Sequence, residues 1–273
     1  MATVYIKPGS GTGTGTASDP YFYSQLSTAE TAAGSGGTIL FTDGTYTLSG
    51  TTTWDADGVT YKAENKHKAI VGNPSTGNTN MVLLYVSDTS LSDVRVEDFI
   101  LRNLKINYRA STNANAPTVI QGNLFEYTEQ KDFATNGAIW IGGGTQEVRF
   151  YDNVFKINQG GRSTESISRN VGSNVLFERN SVYFEIDSST TLNTTDFLNA
   201  GSCKNNIFEG AGTGTFSNTF TANATNCCFH NFGSSNASGG TNNVFADPLF
   251  VDPASSDLRL RPSSPCINAG TAS

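Results

Sequence analysis

The chain has 273 residues, of which 17 are lysine or arginine and 24 are aspartate or glutamate, so its formal net charge is −7. Such an acidic chain lacks the basic surface by which proteins bind nucleic acid or anionic lipid. Only 15% of the residues are charged and 28 are glycine, which excludes a helical bundle, and no apolar run reaches the roughly 18 residues that insertion into a membrane requires.

The amino-terminal segment predicts a cap on a β-rich fold. Residues 1–6 carry neither a basic region nor an apolar core, so the chain as given shows no secretory signal peptide. Residues 25–34 predict a short helix that ends at Gly34 and places Leu26, Ala29 and Ala33 on one face. We expect this helix to cover the open end of the core.

Short β-type runs follow the helix, and an acidic turn lies between two of them. The runs are 37–46, 59–62, 81–86 and 94–96. The turn Asp55-Ala-Asp57-Gly58 offers carboxylates to Ca²⁺ but lacks the remaining ligands of a calcium loop. We interpret it as an ordinary turn, so no metal or cofactor is expected, with Ca²⁺ as the alternative.

A recurrent asparagine motif determines the fold prediction. It consists of an apolar or small residue, two variable residues, Asn and an apolar run, with spacings between 17 and 30 residues. A constant motif at unequal spacing is typical of stacked coils whose loops differ in length. Asn suits the corner of a coil because it tolerates left-handed backbone angles and hydrogen-bonds backbone groups locally. The corner residues are Asn103, Asn123, Asn153, Asn180, Asn206, Asn226 and Asn243.

Two predictions follow from this register. We expect Asn123, Asn153, Asn180 and Asn206 to stack as a buried ladder, each amide pairing with the next. Counting three residues on from each corner gives an outward row of Ile106, Glu126, Lys156, Tyr183, Glu209 and Phe229. Within the row, Glu126, Lys156, Tyr183 and Glu209 are the candidate substrate-binding residues, since a tyrosine stacks on sugar rings and charges bind hydroxyls or carboxylates. A solvated face with weak ion pairs is the alternative interpretation.

The cysteines and histidines give no metal or catalytic motif. Cys203, Cys227, Cys228 and Cys266 have no CxxC spacing, and we interpret them as small buried thiols. His230 follows an apolar pair on a late coil and is interpreted as a core or turn histidine.

The two ends of the chain resemble a known family. Val4-Tyr-Ile-Lys-Pro-Gly9 with residues 37–46, and the closing strings Asp247–Pro253 and Ser264–Gly270, resemble the right-handed parallel β-helix proteins of the pectate-lyase-like superfamily. The resemblance covers essentially the whole chain. It implies an all-β fold, a single-stranded right-handed parallel β-helix (solenoid) with a short N-terminal capping helix. We expect one domain of residues 1–273, with a cap at 1–36, coils at 37–246 and a closing segment at 247–273.

The superfamily contains polysaccharide lyases, glycoside hydrolases, phage tailspikes and adhesins, so the resemblance alone implies only carbohydrate or surface recognition. The Asp-Asp and Gly-His-Gly strings of its polygalacturonases do not occur here. In Ala138-Ile-Trp-Ile-Gly-Gly-Gly144, glycines stand where its pectate lyases carry Asp and His. The missing strings leave the catalytic residues unassigned.

Two functions are therefore the main hypotheses for this protein. The first is a surface or virion-associated protein, a phage appendage or adhesin, that is extracellular and binds a polysaccharide or cell-surface glycan without catalysis; a homotrimer is left open. The alternative is a polysaccharide lyase acting on a uronate-containing polymer, with Lys105, Arg109, Lys156 and Arg162 as candidate bases. A structural spacer without a ligand is the third hypothesis.

Overall fold

The computed structural model confirms a parallel β-helix with a short N-terminal helix. Within its described part, parallel strands are stacked coil on coil, and the single α-helix is α1 (Leu26–Ala33). None of the described helices is long and apolar enough to cross a membrane. The described residues are 1–48, 50–54, 56–72, 93–104, 106–109, 117–127, 139–142, 146–159, 165–166, 168–169, 174–186, 191–193, 201–212, 215–217, 224–231 and 240–271.

The chain divides into two compact units. The first unit comprises Met1–Leu124 with Gly142–Arg149, and the second comprises Phe125–Ile141 with Phe150–Ser273. The expectation of one continuous domain with a cap, coils and a closing segment stays a prediction.

The first unit contains α1 and two parallel sheets. Its strands are β1 (Thr3–Lys7), β2 (Tyr21–Phe22), β3 (Thr38–Phe41), β4 (Gly44–Thr47), β5 (Thr60–Ala63), β6 (Ala69–Gly72), β7 (Arg95–Glu97), β8 (Ile100–Arg102), β9 (Ile106–Arg109) and β10 (Thr118–Gln121). One sheet has the order β2-β1-β3-β5-β7-β10, and the other has the order β4-β6-β8. The register pairs Ile39 with Tyr61, Tyr61 with Val96 and Val96 with Ile120, all of them buried. Successive coils therefore place one apolar side chain each in the same row of the core.

Aromatic packing fills the interior of the first unit. Phe41 packs against Trp54 and Phe99 with ring centroids 5.1 and 5.0 Å apart, and Trp54 stacks on Tyr61 at 4.9 Å. Such pairs add stability beyond the area that they bury.

The capping helix conforms to the sequence prediction in most respects. Ala29 and Ala33 are buried, and the helix ends at Gly34, whose φ of 62° and N–H bond to the Glu30 carbonyl form its C-terminal cap. Leu26, the third residue of the predicted face, is only half-buried. The helix is anchored to the coils by Tyr61, whose hydroxyl donates to Glu30 Oε1 at 2.7 Å.

The remaining strands place half or more of their residues in the second unit. They are β11 (Leu124–Tyr127), β12 (Ile139–Gly142), β13 (Val148–Tyr151), β14 (Val154–Gln159), β15 (Glu165–Ser166), β16 (Ser168–Arg169), β17 (Val175–Glu178), β18 (Ser181–Ile186), β19 (Thr191–Asn193), β20 (Ser202–Lys204), β21 (Ile207–Gly212), β22 (Thr215–Ser217), β23 (Ala224–Thr225), β24 (Cys228–His230), β25 (Val244–Phe245), β26 (Phe250–Asp252) and β27 (Asp257–Leu260). The parallel orders are β13-β17-β20-β23, β11-β14-β18-β21-β24-β25 and β15-β19-β22, while β12 pairs with β16. The last two strands form an antiparallel hairpin, β26-β27.

The asparagine ladder is confirmed in the second unit. The backbone N–H and side-chain amide of Asn153 both donate to Asn180 Oδ1 at 3.0 Å, and those of Asn180 donate to Asn206 Oδ1 at 2.8 and 3.1 Å. All three side chains are about 99% buried. The amide of Asn180 also donates to the carbonyls of Phe150 and Glu178. Each ladder residue thus satisfies backbone groups that would otherwise be buried without partners.

The backbone at this corner differs from the prediction. The left-handed residue is not the ladder asparagine but the residue before it, with φ between 53° and 69° at Gly122, Asp152, Arg179, Asn205, Asn226 and Asn242. The corner positions predicted for Asn226 and Asn103 are therefore wrong. Asn226 occupies the left-handed position and Cys227 the ladder position, where its N–H donates to Asn243 Oδ1 at 2.9 Å. Asn103 has φ 52° itself and follows β8 rather than preceding a strand of that sheet.

Candidate functional site

The predicted outward row exists in the second unit. Strand pairing aligns Lys156 with Tyr183 and Tyr183 with Glu209. Glu126 lies on β11, the strand next to β14. The register prediction is therefore confirmed for the three paired residues, which follow their ladder asparagines by three positions.

The row is covered by the hairpin β26-β27 and the turn that joins its strands. Tyr183 is only 7% exposed because it packs against Phe250 and Leu258. The ammonium group of Lys156 donates to the carbonyl of Ala254, and Ser256 Oγ lies 3.4 Å from Glu126 Oε1. Burial raises the pKa of Tyr183, with Glu185 and Glu209 acting in the same direction. The expectation that Tyr183 is an exposed stacking surface is therefore wrong, although the row itself is correctly aligned.

The row continues to His230 rather than to Phe229. Since Cys227 is the ladder residue of that coil, the third residue on is His230, which pairs with Glu209 across β21 and β24. Its Nδ1 lies 2.8 Å from Glu209 Oε2. Phe229 instead points inward and stacks on Phe208 with centroids 5.1 Å apart. The interpretation of His230 as a core or turn histidine is corrected accordingly.

A third titratable residue joins this pair. Asp247 follows β25, and one ligand atom from each of Glu209, His230 and Asp247 lies within 4.8 Å of the others. Burial raises the pKa of Glu209, while the hydrogen bond and the charge of His230 lower it and Asp247 raises it further. The group brings two carboxylates and one imidazole together at one end of the row.

The cysteines are mostly the small buried thiols that the sequence predicts. Cys203, Cys227 and Cys228 are buried and Cys266 is half-buried, all of them free thiols. A hydrogen bond between the thiols of Cys228 and Cys266 raises the pKa of Cys228 and lowers that of Cys266.

Several sequence candidates cannot be placed. Asp55, Lys105 and Arg162 lie outside the described residues. Arg109 belongs to β9, of which only the backbone is described.

The first unit contains a cleft that no sequence motif predicts. Its volume is about 670 Å³, and it lies beside β4 and the loops that precede and follow it. Its lining is about equally polar and apolar, and half of the lining residues carry a serine or threonine hydroxyl, namely Ser10, Ser24, Thr45, Thr47, Thr51 and Thr52.

Tyr23 supplies the accessible aromatic ring of the cleft, because Tyr46, which lies behind it, is only 1% exposed. Tyr23 and Tyr46 pack edge to face with centroids 5.5 Å apart. The hydroxyl of Tyr23 lies 3.2 Å from Thr52 Oγ1, and that of Tyr46 lies 2.9 Å from the carbonyls of Ile6 and Thr42. Burial raises the pKa of both tyrosines, so both are neutral at neutral pH.

The described lining of the cleft carries no Asp, Glu, His, Lys or Arg. Such a surface can hydrogen-bond a neutral polyhydroxylated molecule and stack against it. It holds no group that titrates near neutral pH and could act as a general acid or base.

Comparison with known proteins gives no assignment, because no protein family, no curated protein and no solved structure matches this chain.

Proposed function

We propose that the protein is a surface or virion-associated β-helix protein of the pectate-lyase-like type, which binds a neutral glycan in the cleft of its first unit without catalysis. The observation that supports this proposal is the lining of the cleft, in which six serines and threonines and Tyr23 stand beside the apolar Pro8 and Leu48, with no charged side chain among its described residues. Sugars offer many hydroxyl groups and weakly apolar ring faces. A hydroxyl-rich, partly aromatic cleft complements both.

The dimensions of the cleft favour a short oligosaccharide. Ligand sites commonly measure about 300–1,000 Å³ and combine apolar walls with a few polar groups that fix orientation. Thr45 and Thr47 are both exposed on β4, and residues two apart on a strand point to the same side. They provide neighbouring hydrogen-bonding groups along one wall.

The covered row is the weaker candidate for this role. A sugar would have to displace Phe250 and Leu258 before it could reach Tyr183. The charged groups there already contact the hairpin turn, Lys156 through Ala254 and Glu126 through Ser256. The same contacts give no support to Lys156 as the base of a lyase.

A glycan array followed by titration of the best ligand tests the proposal. We expect neutral oligosaccharides to bind, and Thr45→Arg and Thr47→Arg to weaken binding at least about tenfold because a bulky cation blocks the wall. Thr28→Arg, on the exposed face of α1, is the matched control and should bind normally.

Two results would overturn the proposal. One is a wild-type affinity that survives both blocking substitutions. The other is release of unsaturated uronates, detected by their ultraviolet absorbance, from alginate, pectate or glycosaminoglycans, which would establish the lyase alternative instead.

A further inference from the structure

The group formed by Glu209, His230 and Asp247 is held in place by the backbone on both sides. Glu209 and His230 are paired on adjacent parallel strands, so their side chains leave the sheet side by side. Asp247 is fixed by its own turn, in which Oδ1 accepts from the Leu249 N–H at 2.7 Å and the Leu249 carbonyl accepts from the Arg261 N–H at 3.0 Å. Three potential ligands are thus presented by rigid segments.

The charges of this group are not balanced by protein cations. In the described part of the chain, neither Glu209 nor Asp247 is paired with Lys or Arg, and His230 is the one basic partner. Other carboxylates of the described strands and turns do have such partners, for example Asp152 with Arg179 and Glu97 with Lys62. The side chain of Glu209 is only 13% exposed. Two carboxylates and one imidazole, of which Glu209 and His230 are half-buried and Asp247 is exposed, favour a bound cation.

We propose that Glu209, His230 and Asp247 form a binding site for a divalent transition metal of the zinc type. One imidazole nitrogen and two carboxylate oxygens are donors that zinc accepts, and three protein ligands leave a fourth position for water. Calcium and magnesium are disfavoured, because they take six or more ligands, nearly all of them oxygen. No local motif indicates this site, because Glu209 and His230 are a full coil apart in the sequence and Asp247 belongs to the closing segment.

Small movements suffice to form the site. Ligands about 2.1 Å from a tetrahedral zinc ion lie roughly 3.4 Å from one another. The 2.8 Å contact between His230 and Glu209 must therefore widen slightly, and the other two separations, which are at most 4.8 Å, exceed the required spacing by no more than about 1.4 Å. The imidazole coordinates through Nδ1 in its neutral form, with its proton on Nε2.

The metal would tie the closing segment to the coils. Glu209 and His230 belong to β21 and β24, whereas Asp247 belongs to the turn leading into β26. Because the hairpin β26-β27 covers Tyr183, a metal at this position also strengthens the cover over the row.

Calorimetric titration of the full-length protein with ZnCl₂ is the direct test. We expect one equivalent of Zn²⁺ to bind and, at a hundredfold excess over Kd, to raise the thermal midpoint by roughly 5–10 °C. Asp247→Asn and His230→Gln should each weaken binding at least about tenfold. Asp247 is exposed, and asparagine retains the oxygen that accepts from Leu249, so this variant should fold even where His230→Gln does not.

The controls separate this site from adventitious binding. Glu185→Gln removes an exposed carboxylate from the neighbouring strand β18 and should leave binding unchanged. The His230→Gln variant still contains His67, so its loss of binding would exclude general histidine affinity. Titration with CoCl₂ should give weak visible bands without the intense near-ultraviolet band of a cobalt–thiolate bond, which excludes Cys228 and Cys266 as ligands.

Three results would overturn the proposal. They are no binding of Zn²⁺, equal affinity in the wild type and Asp247→Asn, and a thiolate band in the cobalt spectrum.

Discussion

The two units fill the corner that precedes one of their sheets with different chemistry. In the first unit, the first three corner positions of successive coils are Gly44, Ala69 and Phe99, as the pairing of β4, β6 and β8 defines them, and only the last corner, Asn123, is an amide. In the second unit, the corresponding positions before β14, β18 and β21 are the ladder asparagines. Small or aromatic side chains thus fill the first three corners of the first unit, whereas hydrogen-bonded amides fill these corners of the second.

The difference shows that the corner does not require asparagine. It requires a side chain that fills the space and a hydrogen-bond partner for the backbone. Phe99 can occupy it because its ring packs against Phe41 and Trp54, with centroids 5.0 and 5.2 Å away, while its N–H donates to Asn123 Oδ1 at 3.0 Å. The amide ladder begins with Asn123, which also donates to the Val96 carbonyl. One neighbouring asparagine therefore satisfies the backbone of a coil whose own corner is apolar.

The largest effect is expected in the aromatic corner. Phe99→Ala should lower the free energy of unfolding by about 4 kcal/mol, because it leaves a large cavity beside Phe41 and Trp54. Urea unfolding followed by tryptophan fluorescence measures it. Phe245→Ala, at a ring that is 49% exposed, is the control and should cost less than about 1 kcal/mol. A similar loss in the two variants would refute the distinction.

The amide corner should be somewhat less sensitive. Asn180→Ala is expected to cost about 3 kcal/mol, since the Asn153 N–H and the Phe150 carbonyl then remain buried without this partner. The matched control is Asn158→Ala, an exposed asparagine whose side chain donates to Glu185 at 3.3 Å, and this substitution should cost less than about 0.5 kcal/mol. Equal urea midpoints for both variants would show that the ladder adds no stability.

The smallest effect concerns a tyrosine of the first unit. Tyr46→Phe should cost about 1 kcal/mol at neutral pH, because the hydroxyl bonded to the Ile6 and Thr42 carbonyls is lost. Burial raises the pKa of Tyr46 above its ordinary value. A raised folded-state pKa contributes stability that is fully present below the unfolded value of about 10 and is lost as the pH rises above it.

The pH dependence therefore supplies a second measurement on Tyr46→Phe. Thermal midpoints recorded from about pH 8 to 11 should fall more steeply for the wild type than for the variant, so that the difference between them narrows. A constant difference over this range would contradict the ionisation of Tyr46 as its cause.

The sequence alone was sufficient to predict that the chain forms stacked parallel coils. Each of Asn153, Asn180 and Asn206 directly precedes a strand of the same sheet, so their spacing predicts how these strands pair. The residues three positions after them are aligned for the same reason. The error at Asn226 has a local origin. Cys227 occupies the ladder position there, and Asn226 occupies the left-handed position before it. Asparagine suits both positions, so the sequence alone does not show which of the two Asn226 takes.

The cover over the row could not be predicted in this way. The contact of Ser256 with Glu126 spans 130 residues, and that of Lys156 with Ala254 spans 98. No local periodicity encodes such a contact, since it depends on where the closing hairpin docks. The group of Glu209, His230 and Asp247 was missed for the same reason, and the cleft has no sequence signal because serine and threonine are common throughout the chain.

The order of synthesis gives the covering hairpin a further consequence. At about 5–20 residues per second, the 75 residues that separate Tyr183 from Leu258 of its cover take roughly 4 to 15 s to be made. During that interval Tyr183 and its half-buried neighbours Val154 and Ile207 present apolar surface on the nascent chain. Lys156 and Glu209 flank Tyr183 on the adjacent strands, and charges beside an apolar strand suppress association with other chains. The charged members of the row thus protect the protein before the hairpin exists to cover them.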